Sequence, residues 1–108
     1  MEIIIHTKSG KANPLYESIN KKIDDKVLKT WEIRKDSDSN THYNHVPDQW
    51  SDRAMLKPYA DPNGLKLVIS WWSKKDEPDE ATKGYIIGRF TEILMAHFRD
   101  QFIHLEIR

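Results

Sequence analysis

The chain contains no cysteine. That removes a disulfide framework, a thiol nucleophile and any Cys-ligated zinc site. Glycine is nearly as scarce. Only four are present, and two of them, Gly84 and Gly88, fall inside a stretch with helical spacing. No Gly-rich loop is left between a strand and a helix to cradle a phosphate or shape an oxyanion nest. A P-loop, a dinucleotide fingerprint and a G-x-S-x-G elbow therefore have nowhere to sit. Net charge is missing too: 17 basic residues balance 17 acidic ones, so there is no overall field to draw in nucleic acid or an anionic membrane. Long apolar runs are absent. The opening Ile3-Ile4-Ile5 follows an acidic Glu2 and is too short for a secretion signal or a membrane span. These absences set the expectation of a cytoplasmic protein with no membrane segment and no cofactor.

What is present fits one folded domain, residues 1–108. An apolar share of 38% with four tryptophans can fill a real core, and 31% charged residues can solvate its surface. The charge is unevenly spread. Residues 1–35 carry eight basic and five acidic groups, while residues 36–64 carry two basic and five acidic ones. The middle of the chain is thus an acidic segment, too mild to name a partner on its own.

Periodicity gives the elements. Ile3 to Thr7 reads as a strand with both faces covered, hence central. Asn13-Pro14 marks a helix start with Asn as the cap, and Leu15, Ile19 and Ile23 form its apolar stripe. Val27 to Arg34 alternates as a half-buried strand, with Val27, Trp31 and Ile33 on one side and Leu28, Thr30, Glu32 and Arg34 on the other. Thr41 to Val46 is expected as a short edge strand, stopped by Pro47. Ala54–Tyr59 and Leu65–Trp72 flank Asp61-Pro62-Asn63-Gly64, a hairpin turn that needs Gly64 at positive φ; Pro58 places the first of these strands at an edge or near its own end. Pro78-Asp79-Glu80 opens a long helix carrying Ile86, Phe90, Ile93, Leu94 and Phe98, in which Gly84 and Gly88 are expected to allow a close approach to the sheet. Ile103, Leu105 and Ile107 alternate as a last strand.

The expected architecture is α+β: a two-layer sandwich, a mostly antiparallel sheet with two helices on one face. With residues 36–60 set aside as an insert, the order is the ferredoxin-like βαββαβ pattern, in which the first and last strands are antiparallel neighbours. Such a fold carries no information about chemistry. Ile5, Trp31, Leu67, Ile69, Phe90, Leu94 and Leu105 should share the core.

Several constellations invite a chemical reading. Asp36-Ser37-Asp38-Ser39-Asn40 starts like a calcium loop, but Thr41 stands where glycine is needed and Pro47 where a bidentate Glu is needed, so a solvated turn is the better reading. His42 and His45 lack further ligands for a metal. Trp71-Trp72-Ser73-Lys74-Lys75 mixes aromatics with bases as single-strand binders do, yet Asp76-Glu77 and Asp79-Glu80 follow at once and would repel phosphate; nucleic acid is disfavoured. No metal site is expected. Strand parity gives the sharper candidate. If helices cover the Ile3/Ile5, Trp31, Ile69 and Leu105 side, the other face shows Ile4, His6, Leu28, Thr30, Val68, Ser70, Trp72, His104 and Glu106. On that face His6 should meet His104, with Glu106 nearby, a group capable of acid–base work or metal binding.

The leading expectation is a non-enzymatic protein-binding module, accessory, regulatory or toxin-neutralising. Val68, Thr30, Trp72, His6 and His104 on the open face form one contact surface, and Asp36, Asp38, Asp48 and Asp52 with Tyr43 and Trp50 in the acidic segment form another, suited to a basic partner. A partly apolar sheet face also leaves room for a homodimer. The alternatives are a small enzyme or ligand binder at His6, His104 and Trp72, and single-stranded nucleic acid binding through Trp72 and Lys74-Lys75.

Overall fold

The three consecutive isoleucines at positions 3–5 are all buried, because the strand they form has neighbours on both sides and cover on both faces. The computed structural model describes residues 1–47 and 49–108. In chain order the elements are β1 (Glu2–Thr7), α1 (Asn13–Asp24), β2 (Trp31–Lys35), β3 (Thr41–His45), β4 (Met55–Asp61), β5 (Gly64–Ser70), α2 (Glu80–His97), a short 3₁₀ turn (Arg99–Gln101) and β6 (Phe102–Ile107). The strands form one six-stranded sheet in the order β2-β3-β4-β5-β1-β6, with every neighbouring pair antiparallel. Both helices pack on the face that carries Ile3, Ile5, Trp31, Tyr43, Leu56, Leu65, Leu67 and Ile69.

The α+β class and the antiparallel sheet agree with the sequence reading; the strand order does not match the four-strand pattern expected. Residues 36–60 are not an insert lying across the sheet. They supply β3 and β4, which enter the sheet between β2 and β5. Nor is β3 an edge strand: it sits between β2 and β4, and all five of its residues are buried. Its polar composition misleads because nearly every polar group finds a partner. Tyr16 and Lys35 donate to the Thr41 hydroxyl, His42 bonds to Asp36 and Ser70, and Asn44 bonds to Glu32, Ser51 and the Asp52 amide. Burying such groups is tolerable only on those terms. The joint between β3 and β4 is short. Among the described residues only Tyr43↔Leu56 and Asn44↔Met55 pair, against seven pairs between β4 and β5. Pro58 lies on the part of β4 that runs beyond β3, where its missing N–H breaks no ladder.

Other local expectations need correction. The cap of α1 is Ala12, with Asn13 already helical and no side-chain cap bond. The strand expected over residues 27–34 begins only at Trp31. Before it the chain turns, with Lys26 at positive φ, leaving Val27 exposed and Leu28 buried in the core, the reverse of the parity assigned from alternation. Trp71 lies past the end of β5, over one-third exposed, its ring 5.8 Å from the Lys83 ammonium. Gly84 and Gly88 do not serve a close approach to the sheet: a methyl group built on either would meet nothing within 4 Å. Asp79 caps α2 by accepting from the Thr82 amide. The hairpin forms as expected, with Asp61 paired to Gly64, and Gly64 has φ +144°.

Candidate functional site

The face opposite the helices is set by strand parity. It carries Ile4 and His6 on β1, Val68 and Ser70 on β5, Met55 and Lys57 on β4, His42 and Asn44 on β3, and His104 and Glu106 on β6. Its middle is apolar, with Ile4 and Met55 buried and Val68 half-buried. Polar groups cluster at its two margins.

At the β1–β6 margin, register pairs His6 directly with His104, as the sequence reading expected. Their rings stack with centroids 3.9 Å apart and 26° between planes. His6 Nε2 lies 2.6 Å from Glu106 Oε1, while Arg108 donates to Glu106 Oε2 at 3.1 Å. Those two partners, His6 first, hold the Glu106 carboxyl below the usual carboxylate range. One ligand atom from each of His6, His104 and Glu106 lies within 4.8 Å of the others. Two imidazoles and a carboxylate are a donor set of the kind that holds a divalent transition metal.

At the opposite margin a hydrogen-bonded chain runs from β5 to the β2–β3 turn. Ser70 Oγ lies 2.8 Å from His42 Nδ1, and His42 Nε2 lies 2.9 Å from Asp36 Oδ2. The other carboxylate oxygen of Asp36 accepts the amides of Asp38 and Asn40, closing the turn. His42, followed by the Asn40 amide, holds the Asp36 carboxyl far below the ordinary range. The connectivity is that of a hydrolase triad, but the nucleophile is not presented. A cleft of 560 Å³ opens beside this chain, walled by Asp36, Asp38, His42, Trp71, Trp72 and Lys74, and Ser70 is not in that wall. A triad needs its hydroxyl at the substrate and oxyanion donors around it. Here the chain fastens the β2–β3 turn to β5.

Trp72 belongs to this margin. Its ring lies 5.6 Å from that of His42, and its Nε1–H donates to Asp52 Oδ1 at 3.1 Å. Arg34 ties Asp52 to Glu32 beneath it. The segment after β3 therefore covers one edge of Trp72 and leaves the ring half-buried on the cleft.

The remaining candidates scatter. Thr30 is exposed in the turn before β2, not in the sheet. Tyr43 is wholly buried: its parity points it at the helices, where it stacks on Phe90 and donates to Asn20 Oδ1. It offers no contact surface. Trp50 is half-buried on the helix side, with its ring 5.0 Å from that of Tyr85. Of the acidic residues expected to serve as a contact surface, Asp36 and Asp38 line the cleft and Asp52 holds Trp72, whereas Asp48 lies outside the described residues. The Asp36–His42–Ser70 chain was not foreseen. The Asp-x-Asp-x-Asn turn was its only signal, because a carboxylate that closes such a turn through one oxygen is free to hold an imidazole with the other. Comparison with protein-family models, curated proteins and solved structures returns no match.

Proposed function

We propose that the chain is a non-enzymatic protein-binding module that receives a Lys- or Arg-bearing segment of a partner in the cleft beside Trp71 and Trp72. The observation that carries this reading is the composition of that cleft: two indole rings, one over one-third exposed and one half-buried, line a 560 Å³ hollow together with the carboxylates of Asp36 and Asp38, with Lys74 beside them. An aromatic wall takes the stem and face of a cationic side chain, and an acidic rim takes its charge. Indoles at the centre of a recessed patch are common anchors of protein recognition. The rim is preorganised, since the Asp36 turn is pinned by His42 and the Trp72 ring by Asp52.

Selection of a random peptide library on the folded chain tests it. The recovered sequences should be enriched in Lys and Arg, and Trp72→Ala should weaken their binding by about thirtyfold or more while leaving the fold intact. Asp38→Asn, which removes a rim charge without touching the Asp36–His42 bond, should weaken it less. Peptides with no basic enrichment, or binding indifferent to Trp72→Ala, would refute this surface.

A further inference from the structure

We infer that β6 is a homodimer interface, on which a second copy of the chain pairs its own β6 antiparallel about Leu105 to make one continuous sheet. This goes beyond the Trp71–Trp72 cleft and uses the opposite edge of the molecule.

The sheet has two edges, and they differ. The β2 edge presents Glu32, Arg34 and Lys35, with charges that discourage pairing. The β6 edge presents Ile103, Leu105 and Ile107, with Ile103 59% and Ile107 52% exposed. Beside it, Met1, Ile107, Gly84, Ile87, Gly88 and Met95 line a shallow, mostly apolar groove of 810 Å³ along α2. An open apolar strand beside an apolar groove is a template for strand addition.

The backbone says which groups are free. Glu2 and Arg108 exchange both of their backbone hydrogen bonds, at 2.8 and 3.0 Å. Antiparallel ladders alternate, so with Ile4↔Glu106 and His6↔His104 in register, residues 104 and 106 turn their N–H and C=O groups inward to β1. Leu105 and Ile107 turn theirs outward. Arg99 already donates to the carbonyls of Phe102 and Ile103, which marks where the free run starts.

The side chains say what fits there. The run Ile103-His104-Leu105-Glu106-Ile107 is self-complementary about its centre. In a two-fold antiparallel pair, Leu105 faces Leu105 of the partner subunit in a hydrogen-bonded ring, as the outward amides require. Ile103 then meets the partner's Ile107. His104 meets the partner's Glu106 on the open face, imidazole against carboxylate. Centring the pair on residue 106 instead would set Glu106 against Glu106 of the partner subunit, and like charges directly opposite destabilise a sheet. An isologous two-fold contact also closes, using the edge on both copies and leaving no further strand to add.

Sedimentation or light scattering across micromolar to millimolar concentrations should show a reversible dimer. Ile107→Lys, at an exposed edge position, should raise the dissociation constant by roughly thirtyfold or more, with the circular dichroism of the monomer unchanged. Because the chain has no cysteine, single substitutions report the register. Leu105→Cys should give a disulfide-linked dimer on oxidation, since hydrogen-bonded antiparallel partners lie about 5.5 Å apart between Cα atoms. Ile103→Cys should not, because residue 103 faces residue 107. A chain monomeric at all these concentrations, or a dimer untouched by Ile107→Lys, overturns the interface. Cross-linking through position 103 but not 105 overturns the pairing.

Discussion

Gly64→Ala is the substitution whose cost the structure states most directly. Gly64 has φ +144°, a region essentially closed to side chains, which costs about 1–3 kcal/mol to occupy. It is also crowded. A Cβ there would lie 2.5 Å from the Ile5 carbonyl oxygen and 2.7 Å from the Thr7 hydroxyl. The first of these is backbone of β1, the strand at the middle of the β5-β1-β6 ladder, so relief requires moving a paired strand. Such overpacking adds about 1–3 kcal/mol. The narrower unfolded ensemble of Ala returns about 0.4–1 kcal/mol. The net expectation is a loss of about 3 kcal/mol, a large share of the roughly 5–15 kcal/mol that holds a typical domain. Urea denaturation followed by tryptophan fluorescence reads it, and the melting midpoint should fall by roughly 10–20 °C. Gly10→Ala is the matched control. Its φ is +72°, but a Cβ there meets nothing within 4 Å, so only the backbone cost applies. If the two variants lost equal stability, or if Gly64→Ala lost less than about 0.5 kcal/mol, the close approach of the hairpin to β1 would be wrong.

Phe90→Ala should cost about 3–5 kcal/mol, because the ring is wholly buried between Trp31, 4.9 Å away edge-on, and Tyr43, 5.5 Å away in a stack; a small shift in the denaturation midpoint would contradict that packing. Acid sensitivity should depend on His45. Burial, then the Arg89 charge, holds its imidazole below the ordinary histidine range, so the unfolded chain binds the proton first. The stability this confers is present above the unfolded pKa and is lost as pH falls through the lower folded one. His45→Gln should therefore flatten the decline in stability between about pH 7 and 5, and an unchanged slope would refute it.

The features legible in the sequence were those with one strong local cause. Three isoleucines announced a central strand, Asp-Pro-Asn-Gly announced the hairpin, and alternation from both chain ends brought His6 to His104. The failures arose where tertiary partners overrode local pattern. Thr41 to His45 is polar enough to read as an edge, and only its particular partners allow it to be buried. Alternation was extended back through Val27, but the amides of Val27 and Leu28 both bond to the Lys22 carbonyl, which curls the segment against α1 and sends Leu28 inward. Gly84 and Gly88 signalled a close approach, but periodicity alone could not say that the space beside them is open. The Asp36–His42–Ser70 chain joins residues on three separate elements, and no spacing rule connects them.

The two-pair joint between β3 and β4 has a dynamic consequence. It divides the sheet into a firmly laddered block, β4-β5-β1-β6, and a β2–β3 hairpin held to that block by few backbone bonds. Cooperative opening follows such seams, so amides of the hairpin should exchange with solvent by sub-global opening while those of β1 and β5 await global unfolding. The Ser70–His42 and Trp72–Asp52 hydrogen bonds are the side-chain stitches across that seam. The acidic side of the cleft, Asp36, Asp38 and His42, thus rides on the more loosely held part of the sheet while Trp71 and Trp72 follow the firm β5, and whatever bridges the two will be read out as slower exchange in residues 31–45.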